Sequence, residues 1–233
     1  MDNPTYGDLH CLALRQGRTL EHIEIDFFGT GGSDGVAQIL AHCIRLRTLK
    51  STRCSRIDIR KLIGESWACV QLEVLQVPMM LSRRTGPSLA DIAAVEKELA
   101  APGEPEWLKA EVIFLRRLGG LARLHTIDLR DGNTVDPLYA AFEMSWTLRA
   151  GLGQLSGLVH LEVLRLGHWR YLQDIAEFKW MKMRWPNLYR LSCFEIGNEQ
   201  KRDWLKTYWP ELDLIETAHG SEDPSCSNGK ARR

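Results

Sequence analysis

Residues 157–169 read G-L-V-H-L-E-V-L-R-L-G-H-W. Leu158, Leu161 and Leu164 are three apart, a helix-like spacing, and Leu164 and Leu166 are two apart, a strand spacing. A segment that changes period in this way is leaving a helix or loop and entering a short strand. Leu164 and Leu166 then point to one side of that strand, and Val163 and Arg165 to the other.

The same L-x-x-L-x-L template recurs along the chain. It appears as Leu20, Ile23 and Ile25, then Leu46, Leu49 and Ser51, then Leu72, Leu75 and Val77, then Leu124, Ile127 and Leu129. Its lead leucines fall 26 residues apart from Leu20 to Leu46 and again from Leu46 to Leu72. From Leu72 to Leu124 the gap is 52, then 37 to Leu161, 27 to Leu188 and 24 to Leu212. A basic period in the twenties is that of a leucine-rich repeat, in which each unit stacks its apolar side on the next because it cannot bury that side alone. The pattern predicts an α/β leucine-rich-repeat solenoid over residues 1–218. A short parallel sheet should line its concave side, with helices on the convex side. No template lies near Leu99, so the doubled gap predicts one helical insertion at about 79–118, mobile after Leu81. The 37-residue gap predicts a second excursion over Asp131–Ser145, with Asp131-Gly132-Asn133 and Pro137 marking its turn.

The predicted helices follow from period and punctuation: Tyr6–Arg15 closing on Gly17, Val36–Ile44, Ser88–Ala100 and Glu106–Leu118. Two stretches near the end duplicate each other, Trp180 to Leu188 (W-M-K-M-R-W-P-N-L) and Trp204 to Leu212 (W-L-K-T-Y-W-P-E-L). Each helix must stop before its proline, because the residue ahead of a proline avoids the α region. The paired tryptophans should pack the helix against the sheet. Residues 219–233 are polar and aperiodic, and are expected to be disordered.

With 30 Lys and Arg against 30 Asp and Glu, the net charge is zero. That balance argues against a nucleic-acid binder. No apolar run approaches a membrane span, and the opening M-D-N-P-T-Y-G-D-L-H has no basic, then apolar, targeting signature. The six cysteines are scattered without a C-x-x-C pair and read as buried small apolar residues. The expected compartment is cytoplasmic or nuclear.

The segment Gly29–Gly35, G-T-G-G-S-D-G, follows a strand and precedes a helix, as a phosphate-binding loop would. Asp34 stands where a third glycine is needed, no Lys-Ser/Thr follows, and no acid sits where a ribose partner belongs. A flexible turn is the better reading. His10–Cys11 and His42–Cys43 are adjacent, so their side chains diverge. No catalytic set, metal site or cofactor is predicted, and the chain is not expected to be an enzyme. A nucleotide-binding α/β enzyme ranks last among the functions considered.

The outward residues of the predicted strands are the candidate binding surface. They are His22, Glu24 and Asp26, then Thr48 and Lys50, then Val74 and Gln76, then Thr126, Asp128 and Arg130. Val163 and Arg165 follow, then Arg190, Ser192 and Phe194. Their sign drifts from acidic to basic; this is either an ordinary solvated sheet face or a concave site whose acidic and basic ends orient a protein or peptide partner. The charged and aromatic members expected to meet it are His22, Glu24, Asp26, Lys50, Asp128, Arg130, Arg165, Arg190 and Phe194.

Residues 67–75 (W-A-C-V-Q-L-E-V-L), 115–129, 151–166 and the two W-x4-W-P-x-L stretches together resemble fungal F-box-associated leucine-rich-repeat proteins, those of Mortierella-like fungi above all. The resemblance spans about residues 60–216. It implies a substrate-receptor role in a ubiquitin ligase, with the repeats holding a protein client. The repeat template already begins at Leu20, so no F-box is expected within this chain, and contact with a ligase adaptor would need one supplied upstream. A free-standing binding or scaffold protein is the alternative. Neither nucleic acid nor membrane is expected as a partner.

Overall fold

The computed structural model describes residues 6–25, 32–51, 57–64, 66–80, 106–130, 146–166, 174–193 and 199–216. Seven parallel strands form one open sheet in simple sequence order. They are β1 (His22–Ile25), β2 (Thr48–Ser51), β4 (Val74–Gln76), β6 (Thr126–Asp128), β7 (Val163–Arg165), β8 (Arg190–Cys193) and β9 (Asp213–Glu216). Every one of these strands was expected from a copy of the leucine template. Two further strands, β3 (Ile57–Asp58) and β5 (Met79–Met80), pair by themselves as a small second sheet. No template announced them.

The leucines set the register. Ile23, Leu49, Leu75, Ile127, Leu164, Leu191 and Leu214 lie side by side across the seven strands. All but Leu214 are buried, and they share one apolar cluster with the helices. Burial of such side chains stabilises by roughly 1.5–3 kcal/mol each.

The approach to each strand is also repeated. A tight turn brings the amide of Leu46, Leu72, Leu124, Leu161, Leu188 and Leu212 onto the carbonyl three residues earlier, at 2.9–3.2 Å. The residues that open these turns are Cys43, Cys69, Leu121, Leu158, Trp185 and Trp209, and all are buried. Cys43 and Cys69 thus occupy the place that leucine or tryptophan holds at the other turns, the apolar role expected of them, whereas Cys11 is exposed, against the same expectation. Burial pushes the Cys43 thiol up to about 11, and burial, with Cys43 nearby, pushes Cys69 up to about 12. In mildly alkaline buffer, iodoacetamide is expected to modify exposed Cys11 and to spare Cys43 and Cys69 until the chain unfolds. Peptide-resolved mass spectrometry reads this directly, and native labelling of Cys43 or Cys69 would contradict the packing.

The helices are α1 (Tyr6–Gln16), α2 (Gly32–His42), α3 (Ile59–Leu62), α4 (Glu106–Gly119), a 3-10 helix (Leu152–Gly157), α5 (Ile175–Arg184) and α6 (Glu199–Tyr208). α5 and α6 end two residues before Pro186 and Pro210, as the prolines require. Trp185 is fully buried, and its Nε1–H donates to the Leu155 carbonyl at 3.1 Å. Trp180 meets Trp185 edge-on at 5.2 Å, and Trp204 stacks on Tyr208. In α4, Phe114, Leu115 and Leu118 are fully buried, so this part of the 79–118 stretch belongs to the shared core. Its end is fixed by Gly119, where a Cβ would sit 2.0 Å from the Gln154 carbonyl oxygen of the 3-10 helix.

Two buried glutamates pin the segment that leads into the 3-10 helix. Glu111 of α4 accepts from the Trp146 amide at 3.0 Å, and Glu177 of α5 accepts from the Leu148 amide at 3.3 Å. They satisfy backbone donors of a segment in which Trp146 and Gly151 both have positive φ. The predicted helix Ser88–Ala100, the excursion Asp131–Ser145, the mobile stretch after Leu81 and the tail 219–233 lie outside the described residues. Among the described residues, no helix is long and apolar enough to cross a membrane.

Candidate functional site

The residues that alternate with the buried leucines form two rows on the opposite face of the sheet. One row runs His22, Thr48, Val74, Thr126, Val163, Arg190, Asp213. The other runs Glu24, Lys50, Gln76, Asp128, Arg165, Ser192, Ile215. Of the predicted partner-binding residues, His22, Glu24, Lys50, Asp128, Arg165 and Arg190 fall in these rows, with Arg130 just beyond β6. Asp26 and Phe194 lie outside the described residues.

The face is not uniform. His22 and Glu24 stand in solvent, Lys50 and Gln76 are half-buried, and Asp128 and Ser192 are 5% and 0% exposed. The rows are therefore less exposed over β6, β7 and β8 than over β1, and a charged cluster lies there. Arg130 grips Asp128 with Nε on Oδ1 at 3.0 Å and Nη2 on Oδ2 at 3.1 Å, a two-point contact of the strong kind. The Arg130 amide adds a third bond to Oδ1 at 3.2 Å. Arg165, one strand over, reaches Asp128 Oδ2 only at 3.4 Å through Nη1. Its Nε is buried without a hydrogen-bond partner, and so is the Ser192 hydroxyl on the next strand. Arg190 is paired with Asp213 at 2.7 Å and lies over the Tyr189 ring. One end of the predicted surface thus has His22 and Glu24 in solvent beside half-buried Lys50, and the other is a partly buried arginine cluster.

A second polar line follows the edge where the chain enters the strands. Backbone carbonyls of Glu21, Arg47, Glu73, His125 and Glu162 each accept from two successive amides of the next unit, at 2.8–3.2 Å. Stacking those backbones stacks their side chains. Arg47 bonds Glu73 at 2.6 Å, and Arg45 meets Glu21 at 3.1 Å. The hydrogen bond from Arg47, reinforced by the charges of Arg47, His125 and Arg123, holds the Glu73 carboxyl below its usual range. This ladder was not predicted. Its signal in the sequence is the residue directly before each strand, visible only once the register is known. Its Arg45–Glu21 and Arg47–Glu73 pairs are partly exposed and link neighbouring strands.

The glycine segment takes a structural role where it is described. Gly32 begins α2, the Ser33 hydroxyl accepts the Asp58 amide at 3.0 Å, and Asp34 pairs with Lys61 at 3.2 Å. An aspartate in the first turn of α2 opposes an incoming phosphate. Gly29 and Gly31 lie outside the described residues. His42 lies 3.2 Å from Gln38, and Cys43 faces the core, so this neighbouring pair diverges as expected. Among the described residues, no three His, Cys, Asp or Glu side chains come together as metal ligands would.

Compared with protein-family models and with curated proteins, the sequence matches none.

Proposed function

We propose that this chain is a leucine-rich-repeat solenoid that acts as a protein-interaction module. Following the resemblance described above, it serves as the substrate-receptor part of an F-box-type ubiquitin ligase assembly, held to the adaptor by an F-box supplied upstream. The observation that carries the reading is the pair of in-register side-chain rows crossing all seven parallel strands, polar over most of their length and buried at Asp128 and Ser192. A client would lie along those rows, its basic groups near Glu24 and its acidic groups near Arg165 and Arg190. The cytoplasm and nucleus, where such ligases act, are the compartments this function implies.

Affinity purification of the tagged chain from its source cell, with the co-purifying proteins identified, tests both levels. Recovery of a ligase adaptor together with a client supports the receptor role. A client without an adaptor supports a free-standing scaffold, and no client at all removes the module reading. Once a client is in hand, Arg165→Glu is expected to weaken it by about tenfold or more, since it sets a carboxylate against Asp128 and inverts the charge offered to the client. Arg190→Glu should do less, because Asp213 already engages Arg190. Calorimetry on variants with unchanged thermal midpoints reads both, and unchanged affinity in both variants would remove this face as the client site.

A further inference from the structure

We infer that the open edge of the sheet at β9 takes an extended segment of the protein client. An aliphatic side chain of that segment enters the cavity between α6 and β9, and an Asp or Glu two residues away meets Lys206. The inference rests on the interaction reading above and adds the chemistry of one anchor that the client must carry.

The last coil is incomplete on its apolar side. In the units before it, the leucine that enters the strand and the leucine at its centre are buried, as Leu161 and Leu164 are, and Leu188 and Leu191. Their counterparts Leu212 and Leu214 are only partly buried. Beside them lies a cavity of about 520 Å³, with Leu205 and Trp209 completing its apolar lining. The cavity stands where the apolar side chains of a further unit would pack, since a unit buries that side only against its neighbour.

The backbone of β9 is open at the same edge. The Asp213 amide donates to the Tyr189 carbonyl at 2.7 Å and so faces β8. Alternation along the strand then turns the Leu214 amide and carbonyl to the other side. The Leu212 carbonyl comes next in the series of strand-entry carbonyls that begins at Glu21, and it accepts no amide among the described residues. An added strand bonds these groups, while its side chains alternate between the cavity and the outer face.

Charge selects the segment. Asp213, on the rim, is already engaged by Arg190. Lys206, on the α6 side, is exposed and has no hydrogen-bond or ion-pair partner among the described residues. Residues two apart on an extended segment point the same way. A carboxylate two positions from the seated aliphatic residue therefore lies on the α6 side, where Lys206 attracts it, whereas a lysine there is repelled.

The test follows the amides of the isotope-labelled full chain by NMR. In the protein alone, the Leu214 amide should exchange hydrogen quickly and the Asp213 amide slowly. Protection of both would mean that residues 217–233 or a second copy already cover the edge, and overturns the inference. The probe is acetyl-Thr-Leu-Thr-Glu-Thr-amide, set against one analogue with Ala for Leu and another with Lys for Glu. It is expected to shift the Leu205 and Leu214 amides saturably. The alanine analogue should bind at least about tenfold more weakly, and the lysine analogue about fivefold more weakly. Lys206→Glu, at an exposed position, should reverse the preference between the glutamate and lysine peptides. No saturable shift, or equal binding of the alanine analogue, overturns the anchor. A glutamate preference that survives in Lys206→Glu overturns the acidic assignment. The two readings fail separately. A client captured with no peptide response removes the anchor and keeps the module, and a peptide response with no client captured does the reverse.

Discussion

Replacing Trp185 with alanine is expected to lower the stability of this protein by about 3–5 kcal/mol, the largest single loss anticipated in the chain. The indole is fully buried where α5 meets the turn into β8. Removing it leaves a cavity that neighbours on two elements must line. It also strips the Leu155 carbonyl of the donor that ties the 3-10 helix to this turn. The second effect separates from the first in Trp185→Phe, which keeps most of the apolar volume but not the N–H, and should cost about 1–3 kcal/mol. Trp204 sits in the duplicated stretch but is only half-buried, and it stacks on exposed Tyr208. Trp204→Ala should therefore cost clearly less than Trp185→Ala. Equilibrium urea unfolding of the three variants measures the differences. Equal losses in Trp185→Ala and Trp204→Ala would show that the first indole does not join helix, turn and 3-10 helix as described.

The contrast between these tryptophans shows what was legible beforehand and what was not. The duplicated W-x4-W-P motif located both helix ends, because a proline constrains its local backbone whatever surrounds it. The leucine template located all seven strands of the main sheet. A strand of three or four residues has only one or two inward positions, and leucine or isoleucine filled the central one each time. β3 and β5 escaped because two-residue strands have no period to detect. The 3-10 helix escaped because Gly153 and Gly157 dilute the apolar signal of Leu152 and Leu155. Within the candidate site, the outward set was readable by alternation, and Asp128, Arg165 and Ser192 fell on the expected face. Their burial was not readable, since exposure on a sheet face depends on what flanks it in space. Ser51 makes the same point on the other face. It holds an inward position beside Ile25, is 4% exposed, and its hydroxyl has no hydrogen-bond partner. A polar residue in an apolar slot weakened that copy of the template without moving the strand.

The second large effect concerns Leu164, and its value lies in where the damage spreads. Leu164→Ala is expected to cost about 2–5 kcal/mol, because the side chain is fully buried between Ile127 and Leu191 in the interior of the sheet. Leu214 holds the same inward row on the last strand, β9, but it is only partly buried. Leu214→Ala should cost about 1 kcal/mol or less. If the chain is the one-dimensional array proposed above, each unit is stabilised only by its neighbours, and a weak unit in the middle uncouples the two sides. Hydrogen exchange in Leu164→Ala should then rise at the Tyr189 and Asp213 amides, which bond back across β7 to β9. The Thr48 and Val74 amides, bonded to Glu21 and Arg47, should keep most of their protection. A single cooperative core would instead lose protection evenly along the sheet, with one unfolding transition for every probe. Uniform loss in Leu164→Ala would contradict the solenoid reading even if the measured cost matched, because the size of the loss depends only on burial, whereas its distribution depends on how the units are joined.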